Sequence, residues 1–90
     1  MFTGLVELLG TVTQAQAEPP GMRLVVDAGN LAQDATLGAS ICVSGCCLSI
    51  VAMDGPLLTF ELGPETLAKT SLFRLAAGGR VNLERSLQVS

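Results

Sequence analysis

Residues 38–50 read Gly38-Ala39-Ser40-Ile41-Cys42-Val43-Ser44-Gly45-Cys46-Cys47-Leu48-Ser49-Ile50. Two runs rich in β-branched and apolar residues flank the pair Ser44-Gly45. A two-residue polar turn between such runs predicts a β-hairpin. In the second run a period of two places Cys46, Leu48, Ile50 and Ala52 on one face. Cys47, Ser49, Val51 and Met53 fall on the other. The first face is small and apolar and suits a core. The second begins with a thiol and a hydroxyl two residues apart, a pair that could line a pocket. Simple packing accounts for the same pair, because cysteine behaves as a small hydrophobe and serine bonds nearby backbone.

Turn signals punctuate the rest of the chain at Pro19-Pro20-Gly21, Gly29-Asn30, Gly38, Asp54-Gly55-Pro56, Gly63-Pro64 and Gly78-Gly79. Between them Leu5 to Gln14, Met22 to Asp27, Ser40 to Val43, Cys46 to Met53, Leu57 to Leu62 and Arg80 to Leu87 read as strands. Short strands at this spacing predict a small closed β-barrel or a sandwich, and a barrel leaves few edges bare. Pro64-Glu65 opens a predicted helix to Lys69, since proline and an acidic residue both suit a first helical turn. Leu31 to Asp34 and Leu72 to Ala77 are further candidates for short helical pieces. Met22 and Met53 read as core filler, and Glu84-Arg85 as a solvated strand pair.

Bulk properties narrow the function. The chain has 90 residues, enough for one domain, with 49% apolar residues and only three aromatic ones, all Phe. Its mean hydropathy of +0.54 points to apolar surface covered by a ligand or a second copy. Five basic and eight acidic residues are spread thinly, for a net charge of −3. Nucleic-acid binding is not expected, because phosphate neutralisation needs clustered Lys or Arg. No apolar run is long enough to span a membrane as a helix, and no secretory leader is visible, so a cytoplasmic location with reduced thiols is expected. Three cysteines without a histidine fit neither a disulfide framework nor a four-ligand zinc site, so no metal is expected.

Met1-Phe2-Thr3-Gly4-Leu5-Val6-Glu7, Gly38-Ala39-Ser40-Ile41, Gly45-Cys46-Cys47-Leu48-Ser49-Ile50, Glu65-Thr66-Leu67 and Val81-Asn82-Leu83-Glu84-Arg85 together resemble, in order and spacing, the riboflavin synthase family. Non-catalytic lumazine and yellow fluorescent proteins share the same scaffold. The resemblance implies an all-β fold, a six-stranded antiparallel Greek-key β-barrel with one or two short helices. It also implies that residues 1–90 are the N-terminal lumazine-binding barrel of a two-barrel enzyme, with the second barrel absent. Such an enzyme forms homotrimers, and an isolated barrel is expected to pair as a homodimer.

The family reaction transfers a four-carbon unit between two molecules of 6,7-dimethyl-8-ribityllumazine, giving riboflavin and a ribitylamino-pyrimidinedione. No metal or external cofactor is required; the ligand is riboflavin or the lumazine. The protein aligns two flat rings and manages protons. Carried onto this sequence, the ligand-binding residues are Gly4, Leu5, Val6, Cys47, Leu48, Ser49, Glu61, Leu62, Gly63, Pro64, Glu65 and Thr66. Phe2, Thr3, Ser40 and Cys47 are the residues implied nearest the chemistry. Backbone groups of residues 4–6 and 61–66 can bond a pyrimidinedione edge. Ser49, Thr66 and Glu61 can bond ribityl or ring, and Val6 and Leu62 can supply apolar contact. The resemblance gives Cys47 a role in handling a proton or shaping the site, not that of obligate nucleophile. Glu65 and Thr66 serve equally well as a plain helix start.

Ser49 departs from the family, where threonine is common; the lost methyl costs on the order of 1 kcal/mol of burial. The family's remaining catalytic His, Ser and Asp belong to the second barrel, so these 90 residues are expected to bind ligand with little or no turnover. Two rival readings remain. One is a non-catalytic lumazine or flavin holder, which gains no turnover from a second barrel. The other is a structural or thiol-redox barrel, which predicts no flavin affinity.

Overall fold

The computed structural model describes residues 8–85. They form six strands, β1 (Leu8–Glu18), β2 (Gly21–Asp27), β3 (Ser40–Val43), β4 (Cys46–Asp54), β5 (Leu57–Leu62) and β6 (Arg80–Arg85). All neighbours are antiparallel, and the order β1-β2-β5-β4-β3-β6 closes on itself. β3, β4 and β5 follow one another as a meander, and β6 returns by a long connection to lie beside β3. That is Greek-key topology, so the predicted barrel is the observed one.

Side-chain alternation builds the interior. Met22, Leu24 and Val26 of β2, Ile41 and Val43 of β3, Leu48 and Ile50 of β4, and Val81 and Leu83 of β6 all point inward and are buried. Among the described residues Phe60 is the largest fully buried side chain, at 0% exposure. Burying such a ring contributes about 1.5–3 kcal/mol. Two irregularities bend the wall, one between Val12 and Gln14 in β1 and one between Ile50 and Ala52 in β4. An extra residue in one strand raises local twist, which a closed sheet of few strands needs.

The Ser44-Gly45 turn has positive φ at both residues, 47° and 88°. That is the twist a two-residue hairpin demands. The predicted helix at Pro64 is α1 (Pro64–Lys69), with Pro64 in its first turn and Gly63 extended before it. A 3-10 turn at Gly29–Asp34 covers the segment read as a turn of helix.

Four expectations change. β1 runs on to Glu18, because Gln16, Ala17 and Glu18 pair with Arg23, Met22 and Gly21. The helical piece at Leu72 stops at Arg74 and not Ala77. Met22 is core, but Met53 is 36% exposed near the end of β4, beyond the irregularity that interrupts the strand's alternation after Ile50. Glu84 is buried at 7% exposure beside its ladder partner Cys42. Arg85 is solvated and reaches Asp34 at 3.2 Å.

Candidate functional site

Antiparallel pairing gathers several segments at one end of the barrel. β2 begins opposite the end of β5, since Met22 pairs with Leu62 and Arg23 with Glu61. β4 pairs with β5 through Ile50 and Phe60, so its first residues lie toward the same end. The Pro19-Pro20 turn, with a cis peptide, closes the β1–β2 hairpin there.

A groove of about 310 Å³ opens at this end. One wall is Glu61, Leu62, Gly63 and Pro64, where β5 runs into α1; the other is Glu18, Pro20, Gly21 and Met22. The volume lies at the lower limit of small-molecule sites. Gly21 permits the close approach: a β-carbon there would overlap the Leu62 carbonyl oxygen. Beside the groove Arg23 bonds Glu61 at 3.4 Å. Both side chains are open to solvent, so the pair orients the carboxylate more than it stabilises the fold.

The candidate residues divide into groups. Glu61, Leu62, Gly63 and Pro64 line the groove. The side chain of Leu62 belongs to the core, at 2% exposure, which leaves mainly its backbone for a ligand. Glu65 and Thr66 follow in the first turns of α1; the Thr66 carbonyl accepts the Thr70 hydroxyl at 2.7 Å. Cys47 and Ser49 lie on the outer face of β4, exposed, while Leu48 between them faces inward. Ser40 is the ladder partner of Ser49, and Cys42 that of Cys47. These residues form a strip of hydroxyls and thiols on the outer wall and do not line the groove. Phe2, Thr3, Gly4, Leu5 and Val6 fall outside the described residues.

Cys46 and Cys47 have opposite environments, as the period of two predicts. Cys46 is half-buried against the core. Burial pushes its thiol pKa up, and the neighbouring Cys47 and Cys42 push it further. Cys47 is open to solvent. No cluster of three or more potential metal ligands occurs among the described residues.

Sequence reasoning missed Glu18, Pro20, Gly21, Met22 and Arg23. The first four line the groove and Arg23 lies beside it; all are brought there by the β1–β2 hairpin and the β2–β5 pairing, the latter a contact across nearly forty residues of chain for which no local pattern exists. The Pro19-Pro20-Gly21 signal marked the turn but not its neighbour.

Comparison with known proteins agrees with this geometry. Residues 3–86 match the lumazine binding domain family. Riboflavin synthase of Bacillus amyloliquefaciens is 38% identical over 90 residues, covering 100% of this chain and 42% of the enzyme. That of Meyerozyma guilliermondii is 39% identical, covering 98% of this chain and 41% of the enzyme. The chain thus spans well under half the length of these relatives. Crystal structures of LumP share the fold. The complex with 6,7-dimethyl-8-(1'-D-ribityl) lumazine superposes with a TM-score of 0.92 at 23% identity, over 100% of this chain and 50% of LumP. The riboflavin complex gives 0.85 at 26% identity, over 94% and 46%. With 84 of its 90 residues inside the matched span, the chain belongs to the lumazine-binding domain family.

Proposed function

We propose that this barrel binds one lumazine or riboflavin molecule and is the N-terminal ligand-holding half of a riboflavin synthase. The observation that carries the reading is the groove where β5 turns into α1, lined by four residues that the family resemblance had singled out, Glu61 to Pro64. Support comes also from the riboflavin synthases that the chain matches along nearly all its length.

In this reading the groove takes an edge of the flat ring, and the ribityl hydroxyls meet Glu61 and Thr66. Ser49 and Cys47 on the adjoining strand face the second ring, which a partner barrel presents. The full enzyme dismutates two lumazines to riboflavin and 5-amino-6-ribitylamino-pyrimidinedione without metal or external cofactor. The chain's own contribution is to hold and orient one ring. Self-association of the isolated barrel belongs to the same proposal. Exposed Val51 and Met53 of β4 supply apolar surface for a second copy.

A second reading, a non-catalytic lumazine or flavin holder, is favoured by the superposition on LumP with its bound lumazine. One pair of experiments separates the two. Riboflavin titrated into the purified chain is expected to lose fluorescence on binding; unchanged fluorescence and no retention on dialysis would refute both. Riboflavin formation from 6,7-dimethyl-8-ribityllumazine is expected only after a C-terminal barrel is restored. No turnover in that two-barrel protein leaves the holder.

A further inference from the structure

We infer that Cys42 and Cys47 form a reversible dithiol–disulfide site on the outer wall, oxidised by low-molecular-weight disulfides of the glutathione type. The two residues are direct cross-strand partners in the β3–β4 hairpin. Partners in an antiparallel ladder point to the same side of the sheet. Here it is the outer side, because Ile41, Val43 and Leu48 point in.

The backbone decides which kind of pair they are. The Ser44 amide donates to the Asn82 carbonyl of β6 at 2.7 Å. Backbone polar groups repeat direction every second residue, so those of Cys42 also face β6, where its partner is Glu84. Toward β4, Cys42 and Cys47 are therefore a non-hydrogen-bonded pair. The two-residue turn gives the same parity, since it is flanked by the pair Val43 and Cys46. Cα atoms of a non-hydrogen-bonded pair lie about 4.5 Å apart, with side chains closer than in the alternate pairs. A disulfide accepts Cα separations of roughly 4.4–6.8 Å. The hairpin thus presents two thiols at the short end of bonding range without moving the backbone.

Cys46 is excluded by direction. It sits next to Cys47 in sequence but packs against the core, on the opposite side of the strand. Closing the loop from residue 42 to residue 47 removes little entropy from the unfolded chain, because the gain grows with loop length. The bond is therefore a poor staple. Being exposed, it is also readily reduced. Both properties suit a switch.

The chemistry needs only a disulfide oxidant. The Cys47 thiolate, the more exposed of the two, attacks one sulfur of glutathione disulfide. A mixed disulfide forms, and one glutathione thiolate leaves. The Cys42 thiolate then attacks the Cys47 sulfur, forming the Cys42–Cys47 bond and expelling the second glutathione thiolate. Two protein thiols are oxidised, one external disulfide is reduced to two thiols, and the two protons released by the cysteines end on them.

Differential labelling tests this on the whole chain. The reduced protein is equilibrated with glutathione buffers of graded ratio. It is then capped with N-ethylmaleimide, reduced, capped with iodoacetamide and digested with trypsin. All three cysteines lie in one peptide, Leu24 to Lys69. Under oxidising ratios the maleimide is expected on Cys46 alone and the second label on Cys42 and Cys47, with dithiothreitol restoring three maleimide-reactive thiols. Cys46→Ser is expected to oxidise as the parent does, and Cys42→Ser to stop with one glutathione bound. Three maleimide-labelled cysteines at every ratio, the second label on Cys46, or glutathione retained on the parent protein would overturn the inference. No ligand is involved, so the outcome is independent of the binding proposal.

Discussion

Ser44 and Asn82 are bonded twice: the Ser44 amide donates to the Asn82 carbonyl at 2.7 Å, and the Asn82 amide donates to Ser44 Oγ at 3.3 Å. The turn that sets the register of Cys42 with Cys47 and of Ser40 with Ser49 is thereby tied to β6. The tie holds Ser44 at a φ of 47°, a conformation that costs an ordinary L-residue about 1–2 kcal/mol. Asparagine tolerates this region and keeps an acceptor. Ser44→Asn is expected to leave stability equal or raise it by up to about 1 kcal/mol, whereas Ser44→Val lowers it by about 1–2 kcal/mol. Urea midpoints of the two variants check the ordering.

Phe60 is fully buried. Phe60→Ala removes the ring from a core whose other described members are aliphatic side chains and Met22, leaving a cavity. A loss of about 3–5 kcal/mol is expected, a large fraction of the about 5–15 kcal/mol by which such domains are stable. Urea unfolding followed by far-ultraviolet circular dichroism measures it. Phe60→Leu, which keeps more of the volume, should cost less than half as much.

The barrel was legible because inward and outward positions alternate so cleanly. Leu24, Val26, Ile41, Val43, Ile50, Val81 and Leu83 follow the period of two, and turn residues separate the runs. The end of β1 was not legible. Gln14, Gln16 and Glu18 are all exposed, so strand pairing there leaves no hydrophobic trace. Met53 misled because methionine suits both core and surface. Glu84 misled because sequence cannot show which outward position will be shielded from solvent. The same limit governs the site. Glu61 to Pro64 could be named from the family resemblance, but Gly21 and Met22 in the facing wall, and Arg23 beside it, reach them only through long-range pairing.

Glu61 is an exposed carboxylate of the groove, held by Arg23 at 3.4 Å. Solvent screens this pair, so Arg23→Gln and Glu61→Gln are each expected to shift stability by less than about 1 kcal/mol. Ligand affinity should respond more. Loss of a hydrogen bond from ribityl to a charged acceptor weakens binding by about 1.5–3 kcal/mol, a tenfold effect or more. Riboflavin titration of Glu61→Ala against the parent checks this, and equal affinities would remove Glu61 from the site.

Cys46 gives the fold a pH dependence with a definite sign. Burial first, then the neighbouring Cys47 and Cys42, raise its pKa above the ordinary 9.0. The unfolded chain therefore loses this proton before the folded one does. The stabilisation is complete below about pH 9 and is lost as pH rises through the folded value. Stability is expected to fall from about pH 9 upward, and less steeply in Cys46→Ser than in the parent. Urea midpoints across that range, under reducing conditions, give the difference between the two slopes.

Two glycines of the groove separate fold from site. At Gly21 an added β-carbon meets the backbone carbonyl of Leu62, which can move only if β5 moves. Gly21→Ala should cost about 1–3 kcal/mol through overpacking, and any loss of riboflavin affinity follows from the displaced wall. At Gly63 the φ of −79° suits any residue, and an added β-carbon meets nothing within 4 Å. Gly63→Ala restricts the unfolded chain but gives up glycine's preference for the helix N-cap, so stability should stay within about 1 kcal/mol of the parent. The added methyl nevertheless enters space that a ring edge would occupy. A variant that unfolds no more easily than the parent yet binds riboflavin at least several-fold more weakly places the ligand against Gly63. Unchanged affinity in this variant moves the ligand to another part of the barrel end.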